Sequence, residues 1–307
     1  MAREGGPSFP RSLPLRYRFE RFLSRGAEAA TMVVFDAGLR RSRAVVKCQR
    51  LAGPDGASSA EGSFRGFCSH LQGVRHPNVA TPYTYGSFRD ADGVLYGYTT
   101  RGFVPGVSLS EIGKPLAEDA LLHCAIQIGR GLDALHSRGL QHGDLKPENV
   151  IIRRSSNGQI DELSQCVIID LTHRSPAQAV SSTLTDVSLQ YAAPELTAGS
   201  GFDVRSDLFS LGVLLYVLGT ARRPYGGSSA TDIIRSQRAR QFTPLGELNR
   251  DLDLQLVETI EHLLDPHPEN RPDSAGAVQA LLDECRERLD HGQVAVDRHG
   301  AAELVAS

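Results

Sequence analysis

At Pro105-Gly106 the hydrophobic pattern of this chain changes from strand-like to helical, which points to a β-rich region followed by a helical one. From Tyr17 to about Val104 the apolar residues fall in short runs, at 31–35, 44–48 and 94–99, with the length and composition of β-strands. Beyond the break the spacing becomes helical. Leu121, Ala125, Ile128, Leu132 and Leu135 recur at alternating steps of four and three, one face of an amphipathic helix. Leu256, Ile260 and Leu263, then Val278, Leu281, Leu282, Cys285 and Leu289, predict two more. The expected class is α+β, a small β-rich lobe over residues 16–104 followed by a larger helical lobe over 105–290. Phe64, Phe67, Leu71 and Val74 predict one helix in the first lobe, ending before His76-Pro77. The Gly-, Ser- and Ala-rich stretch 52–63 reads as a loop. Residues 1–15, with Pro7, Pro10 and Pro14, read as a flexible leader, and 291–307, without apolar periodicity, as a tail.

Bulk properties narrow the class of partner. Of 307 residues, 40% are hydrophobic and 22% charged, the balance of a globular chain able to bury a core. A formal net charge of −3 gives no electrostatic reason to expect nucleic acid or an anionic membrane, and neither is expected as a partner. The cysteines at 48, 68, 124, 166 and 285 show no C-x-x-C pair, which suits reduced thiols. No apolar signal segment follows Met1. The longest apolar run, 208–221, is too short to span a bilayer and reads as a buried core helix. A soluble, cytoplasmic protein is the expectation.

Chemistry concentrates just after the 121–135 helix, in Leu140-Gln141-His142-Gly143-Asp144-Leu145-Lys146-Pro147-Glu148-Asn149-Val150. About twenty residues on, the apolar run Cys166-Val167-Ile168-Ile169 ends in Asp170. Phosphoryl transfer needs a carboxylate to orient a hydroxyl nucleophile, cations for the γ-phosphate, and oxygen ligands for Mg²⁺. Asp144, Lys146, Asn149 and Asp170 are such a set.

This segment resembles the catalytic loop H-x-D-L-K-P-x-N of eukaryotic-type protein kinases. Ala44-Val45-Val46-Lys47 resembles V-A-I-K, His76-Pro77-Asn78-Val79 resembles H-P-N-I, and Ala193-Pro194-Glu195 matches A-P-E, all in the family's order. Ser206-Asp207 resembles the motif whose Asp bonds the catalytic-loop backbone, and Arg271 stands where the family pairs an Arg with Glu195. The resemblance covers about Tyr17 to Leu289 and implies a bilobal fold using ATP and Mg²⁺. It implies Asp144 as catalytic base, Lys146 at the transferring phosphoryl group, and Lys47 at the α- and β-phosphates. Asn149 and Asp170 would hold the metal. Gly26, Val45 and Ile151 would line the nucleotide, with backbone bonds from a hinge near 101–103. Lys146 two residues after the base, and Ser188 seven before Glu195, resemble Ser/Thr rather than tyrosine kinases. The substrate would be a protein, with an activating protein partner as a further expectation.

Departures from the family leave alternatives open. The glycine-rich loop keeps only Gly26, with Glu28 near its tip. Nine residues before His76 stands Phe67 in place of the helix glutamate that pairs with the lysine, so the expected pair is missing unless Glu61 or Asp55 reaches Lys47 from the preceding loop. Asp170-Leu171-Thr172 replaces D-F-G, and Gly143 replaces the usual Arg before the base, which weakens the case for a phosphorylated on-switch among Ser181, Ser182, Thr183 and Thr185. A pseudokinase scaffold, or a kinase-fold enzyme doing adenylyl transfer, are the alternatives to a Ser/Thr kinase.

Overall fold

The computed structural model describes residues 14–25, 29–52, 58–90, 92–153, 164–171, 186–198 and 203–305. The chain divides into two compact units, Met1–Pro105 and Gly106–Ser307. The division falls at the change of sequence pattern.

The first unit is built on five antiparallel strands: β1 (Tyr17–Arg25), β2 (Ala29–Asp36), β3 (Ser42–Ala52), β4 (Thr84–Arg89) and β5 (Leu95–Gly102), in the order β1-β2-β3-β5-β4. Alternation along β2 and β3 sorts their side chains between two faces. Ala30, Met32 and Val34 join Ala44, Val46, Cys48 and Tyr96 in one buried cluster. Lys47 points to the opposite face, paired across the strands with Thr31 and Thr99. Two residues on, Gln49 pairs with Gly97, so Gly97 shares the face of Lys47. A Cβ on Gly97 would lie 2.7 Å from the ring of Phe64. Phe64 belongs to helix α1 (Ser58–Gln72), which therefore packs on the lysine's face.

Two expectations for α1 are corrected. The stretch expected as a loop to residue 63 is helical from Ser58, because Ser, Ala and Glu are tolerated in an exposed first turn, where Glu61 also favours the helix dipole. The buried stripe is Phe64, Cys68 and Leu71, with Phe67 only half-buried beside it. A thiol is as readily buried as an aliphatic group, and the periodicity reading passed over it.

The second unit opens with a small antiparallel sheet, β6 (Val107–Ser108), β7 (Val150–Arg153) and β8 (Gln165–Ile168), in that order. Its helices are α2 (Glu118–His136), α3 (Asp186–Leu189), α4 (Pro194–Ala198), α5 (Val204–Thr220), α6 (Ala230–Arg238), α7 (Leu245–Leu248), α8 (Leu254–Leu263) and α9 (Ala275–Val305). The apolar stripes read from sequence meet in one core: Leu121, Ile128 and Leu132 of α2, Leu256 and Ile260 of α8, Val278 and Leu282 of α9. At its centre lies α5, buried on nearly every side, as the run 208–221 implied. Gly212 lets α5 approach α8 closely, since a Cβ there would meet Leu263 Cβ at 2.7 Å. α9 continues to Val305, through the residues expected as a tail. No helix among the described residues is long and apolar enough to cross a membrane.

Candidate active site

The loop after α2 is shaped by a carboxylate from α5. Asp207 Oδ2 accepts the His142 amide at 2.7 Å and Oδ1 accepts the Gly143 amide at 2.9 Å. His136, in the last turn of α2, adds Nε2 at 2.9 Å from Asp207 Oδ2. Burial opposes ionisation of Asp207, but the His136 bond, the nearby imidazoles and the Gly143 amide outweigh it and hold the carboxyl below the usual carboxylate range. Gly143 takes φ 77°, the left-handed region where glycine carries no Cβ penalty, which accounts locally for a glycine at this position.

His142 is fully buried and works as an internal spacer. Its Nδ1 accepts the Asp144 amide at 3.2 Å, so Nε2 carries the proton and donates to Ile169 O at 2.9 Å. That bond ties the loop to the backbone just before Asp170. Ile169 N returns to Asn149 O at 2.9 Å. Asp170 itself sits at φ 61°, a left-handed conformation that is costly for a non-glycine residue and is held by these anchors.

The side chains proposed for chemistry converge within this frame. Lys146 Nζ lies 2.8 Å from Asp144 Oδ2 and 2.8 Å from Ser188 Oγ. Asn149 Nδ2 donates to Asp144 O at 2.7 Å and to Asp144 Oδ2 at 3.2 Å. Among the described residues both side-chain donors fall on Oδ2, which fixes the carboxylate plane. The Asn149 amide nitrogen is thus spent on the Asp144 turn of the loop. The Pro147–Asn149 turn of 3-10 helix, opened by proline after Lys146, holds this Asn at its last position and leads straight into β7.

Behind the site, Arg271 grips Glu195 through two bonds, 2.8 Å from Nη1 to Oε1 and 2.9 Å from Nη2 to Oε2. Ser206 Oγ donates to Glu195 Oε1 at 2.8 Å, and the guanidinium lies 4.9 Å over the Phe209 ring. The pair expected from sequence is formed, and it fixes the start of α4 to the start of α5.

The remaining site residues are distributed as follows. Lys47 is half-buried on β3, Val45 is buried two residues before it, and Ile151 is half-buried on β7 opposite Ser108 and Val167. Gly26, Glu28, Asp55, Thr172 and the hydroxyls at 181–185 lie outside the described residues. Glu61 is not the substitute for the helix glutamate that sequence suggested: its carboxylate accepts Ser87 Oγ at 2.5 Å and Arg65 Nε at 3.3 Å. Being in the first turn of α1, it is drawn to the β4 hydroxyl and its own i+4 neighbour. His136 was missed in the sequence, because it sits in no short motif and acts through a tertiary contact with Asp207.

A protein kinase domain model matches residues 31–283. The chain belongs to the protein kinase family. Within that family it is similar to the serine/threonine-protein kinase pkn2 of Myxococcus xanthus, 30% identical over 217 residues that make up 69% of this chain and 26% of the relative. It is also similar to the serine/threonine-protein kinase PknB of Mycolicibacterium smegmatis, 25% identical over 89% of this chain and 43% of that one. This kinase-family chain thus spans from about a quarter to two fifths of the length of these relatives. In fold it is similar to the crystal structure of Rad53 1-466 in complex with AMP-PNP, with a TM-score of 0.68 and 21% identity, over 86% of this chain and 64% of that one.

Proposed function

We propose that this chain is a Ser/Thr protein kinase that transfers the γ-phosphoryl group of ATP to hydroxyls of a protein substrate. The observation that carries the reading is the linked set Asp144–Lys146–Ser188, closed by Asn149. A hydroxyl donating to Asp144 is aimed by that carboxylate at the γ-phosphorus. The new oxygen–phosphorus bond forms as the bond to the β–γ bridging oxygen breaks, and the proton passes to Asp144. Lys146, already on Asp144, offers its ammonium charge to the transferring group, while Ser188 keeps that ammonium from collapsing wholly onto the carboxylate. Lys47, on its own strand, is the residue for the α- and β-phosphates. The relatives' names as serine/threonine kinases and the AMP-PNP in the Rad53 crystal support the same reading.

Mg²⁺ fits the donor set. Among the described residues no group of three or more His, Cys, Asp or Glu is placed to hold a metal by itself. One amide oxygen, from Asn149, and one carboxylate, from Asp170, are hard oxygen donors of the kind that would hold Mg²⁺. When bound, it neutralises charge on the phosphate oxygens. The five cysteines are buried free thiols, which supports a reducing, cytoplasmic setting.

Product analysis tests the reaction class. With Mg·ATP and a protein substrate, one ADP should appear per phosphate added, with the phosphate on serine or threonine. AMP carried on the protein, or nucleotide bound without turnover, contradicts it.

A further inference from the structure

We infer that Gln237 is a positioning residue for the protein substrate, holding from α6 the strip of backbone that follows Ser188. The inference rests on the kinase reading above. α6 is capped by Ser229, whose Oγ accepts the Asp232 amide at 3.2 Å, and it buries two side chains one turn apart, Ile233 and Gln237. Ile233 is the expected kind of residue for such a face. Gln237 is not, since it is 0% exposed and buries a polar amide where an aliphatic group of equal length would be cheaper.

What the amide touches gives the reason. Gln237 Nε2 donates to Leu189 O at 3.3 Å and to Ala192 O at 3.2 Å. Its Oε1 is buried with no hydrogen-bond partner, so the amide is there for its donors. The segment has little regular structure of its own to fix it. Tyr191 N and Ala192 N both turn back onto Ser188 O, at 3.2 and 3.0 Å, and Ser210 Oγ of α5 donates to Tyr191 O at 2.8 Å. Three carbonyls, at 189, 191 and 192, are therefore held by side chains of two helices. Ser188, at the head of the strip, is one bond from Lys146, and Lys146 is one bond from Asp144. A substrate whose hydroxyl meets Asp144 has to pass this strip, and its path is set by the grip that Gln237 supplies.

The test uses the full chain with Gln237→Met, which keeps length and removes the donors, and Gln237→Leu as a second variant. Amide hydrogen exchange is measured without nucleotide or substrate, and peptide kinetics with a serine peptide. Exchange at Tyr191 and Ala192 should quicken about tenfold, the loss expected for two modest hydrogen bonds, with the core of α5 and α8 unchanged. The KM for peptide should rise about tenfold while the KM for ATP stays as in wild type. Unchanged exchange and unchanged peptide KM overturn the proposal. Faster exchange spread through α5 and α8 also overturns it, by marking Gln237 as ordinary packing. If wild type transfers no phosphate while exchange still quickens locally, the kinase reading fails and takes the substrate role with it, though the grip on the loop stands.

Discussion

The Asp144 carboxylate is oriented through one oxygen, and on the proposed reading its neighbours matter in proportion to how directly they touch that oxygen. Lys146 touches it and also reaches Ser188. Lys146→Met should lower kcat about 10²–10³-fold, the usual range for removing a preorganised charge at a transition state, with the KM for ATP nearly unchanged. Ser188→Ala removes only a partner of the partner and should cost about tenfold or less in steady-state kinetics. Equal effects of the two substitutions would contradict the hierarchy. Asp144, Lys146, Asn149 and Asp170 were legible in the sequence because they lie in short fixed-offset segments. The residues that hold them were less so. His136 meets Asp207 across 71 positions and Gln237 meets Leu189 across 48, and no local pattern announces such pairs. The fate of Glu61 was illegible for the same reason, since Ser87, its partner, is 26 residues away.

Among the elements, α4 is joined to α5 through the Glu195–Arg271 pair and the Ser206 hydroxyl. The Arg271 side chain is 0% exposed and that of Glu195 10%. Glu195→Ala would leave a buried guanidinium without its carboxylate, and should destabilise the second unit by about 3 kcal/mol or more in urea unfolding. A loss under about 1 kcal/mol would show the pair to be dispensable. In the first unit, Gly97→Val would drive a side chain into the Phe64 ring and should cost about 1–3 kcal/mol while shifting α1 off the face of Lys47. The strands with apolar or aromatic runs, β2, β3 and β5, were legible as such. β1 and β4 were not singled out, because Arg18, Arg21 and Ser24 on one and Gly86 and Ser87 on the other dilute the apolar signal at the sheet's two edges. α1 was legible in its middle and not at its start, where small polar residues carry no periodicity.

For the whole molecule, the change of period at Pro105-Gly106 coincides with the division into two units. Titration of buried groups should bound stability on both sides of neutrality. Burial pushes the Cys48 and Cys68 thiols from 9.0 up to about 12. A group whose pKa is raised by folding stabilises the fold fully below its ordinary value, so this contribution is lost as pH climbs from about 9 toward 12. Asp36 and Asp207 run the other way. Burial opposes their ionisation, but Arg16 and Tyr83 on Asp36, and His136 and Gly143 on Asp207, hold both below the usual carboxylate range. Their contribution is present above about pH 4 and is lost as pH falls further. Thermal melts across pH should show both limbs, and Cys48→Ala should flatten the alkaline one; an unchanged alkaline limb would contradict the assignment. The most direct test of kinase activity is the intact mass of wild type and Asp144→Asn after incubation with Mg·ATP and a protein substrate. Phosphate-sized additions should appear with wild type and vanish with Asp144→Asn, whose ATP affinity should stay near that of wild type. Equal transfer by both proteins would contradict the role given to Asp144, and a nucleotide-sized addition, or none with wild type, would contradict the kinase reading itself.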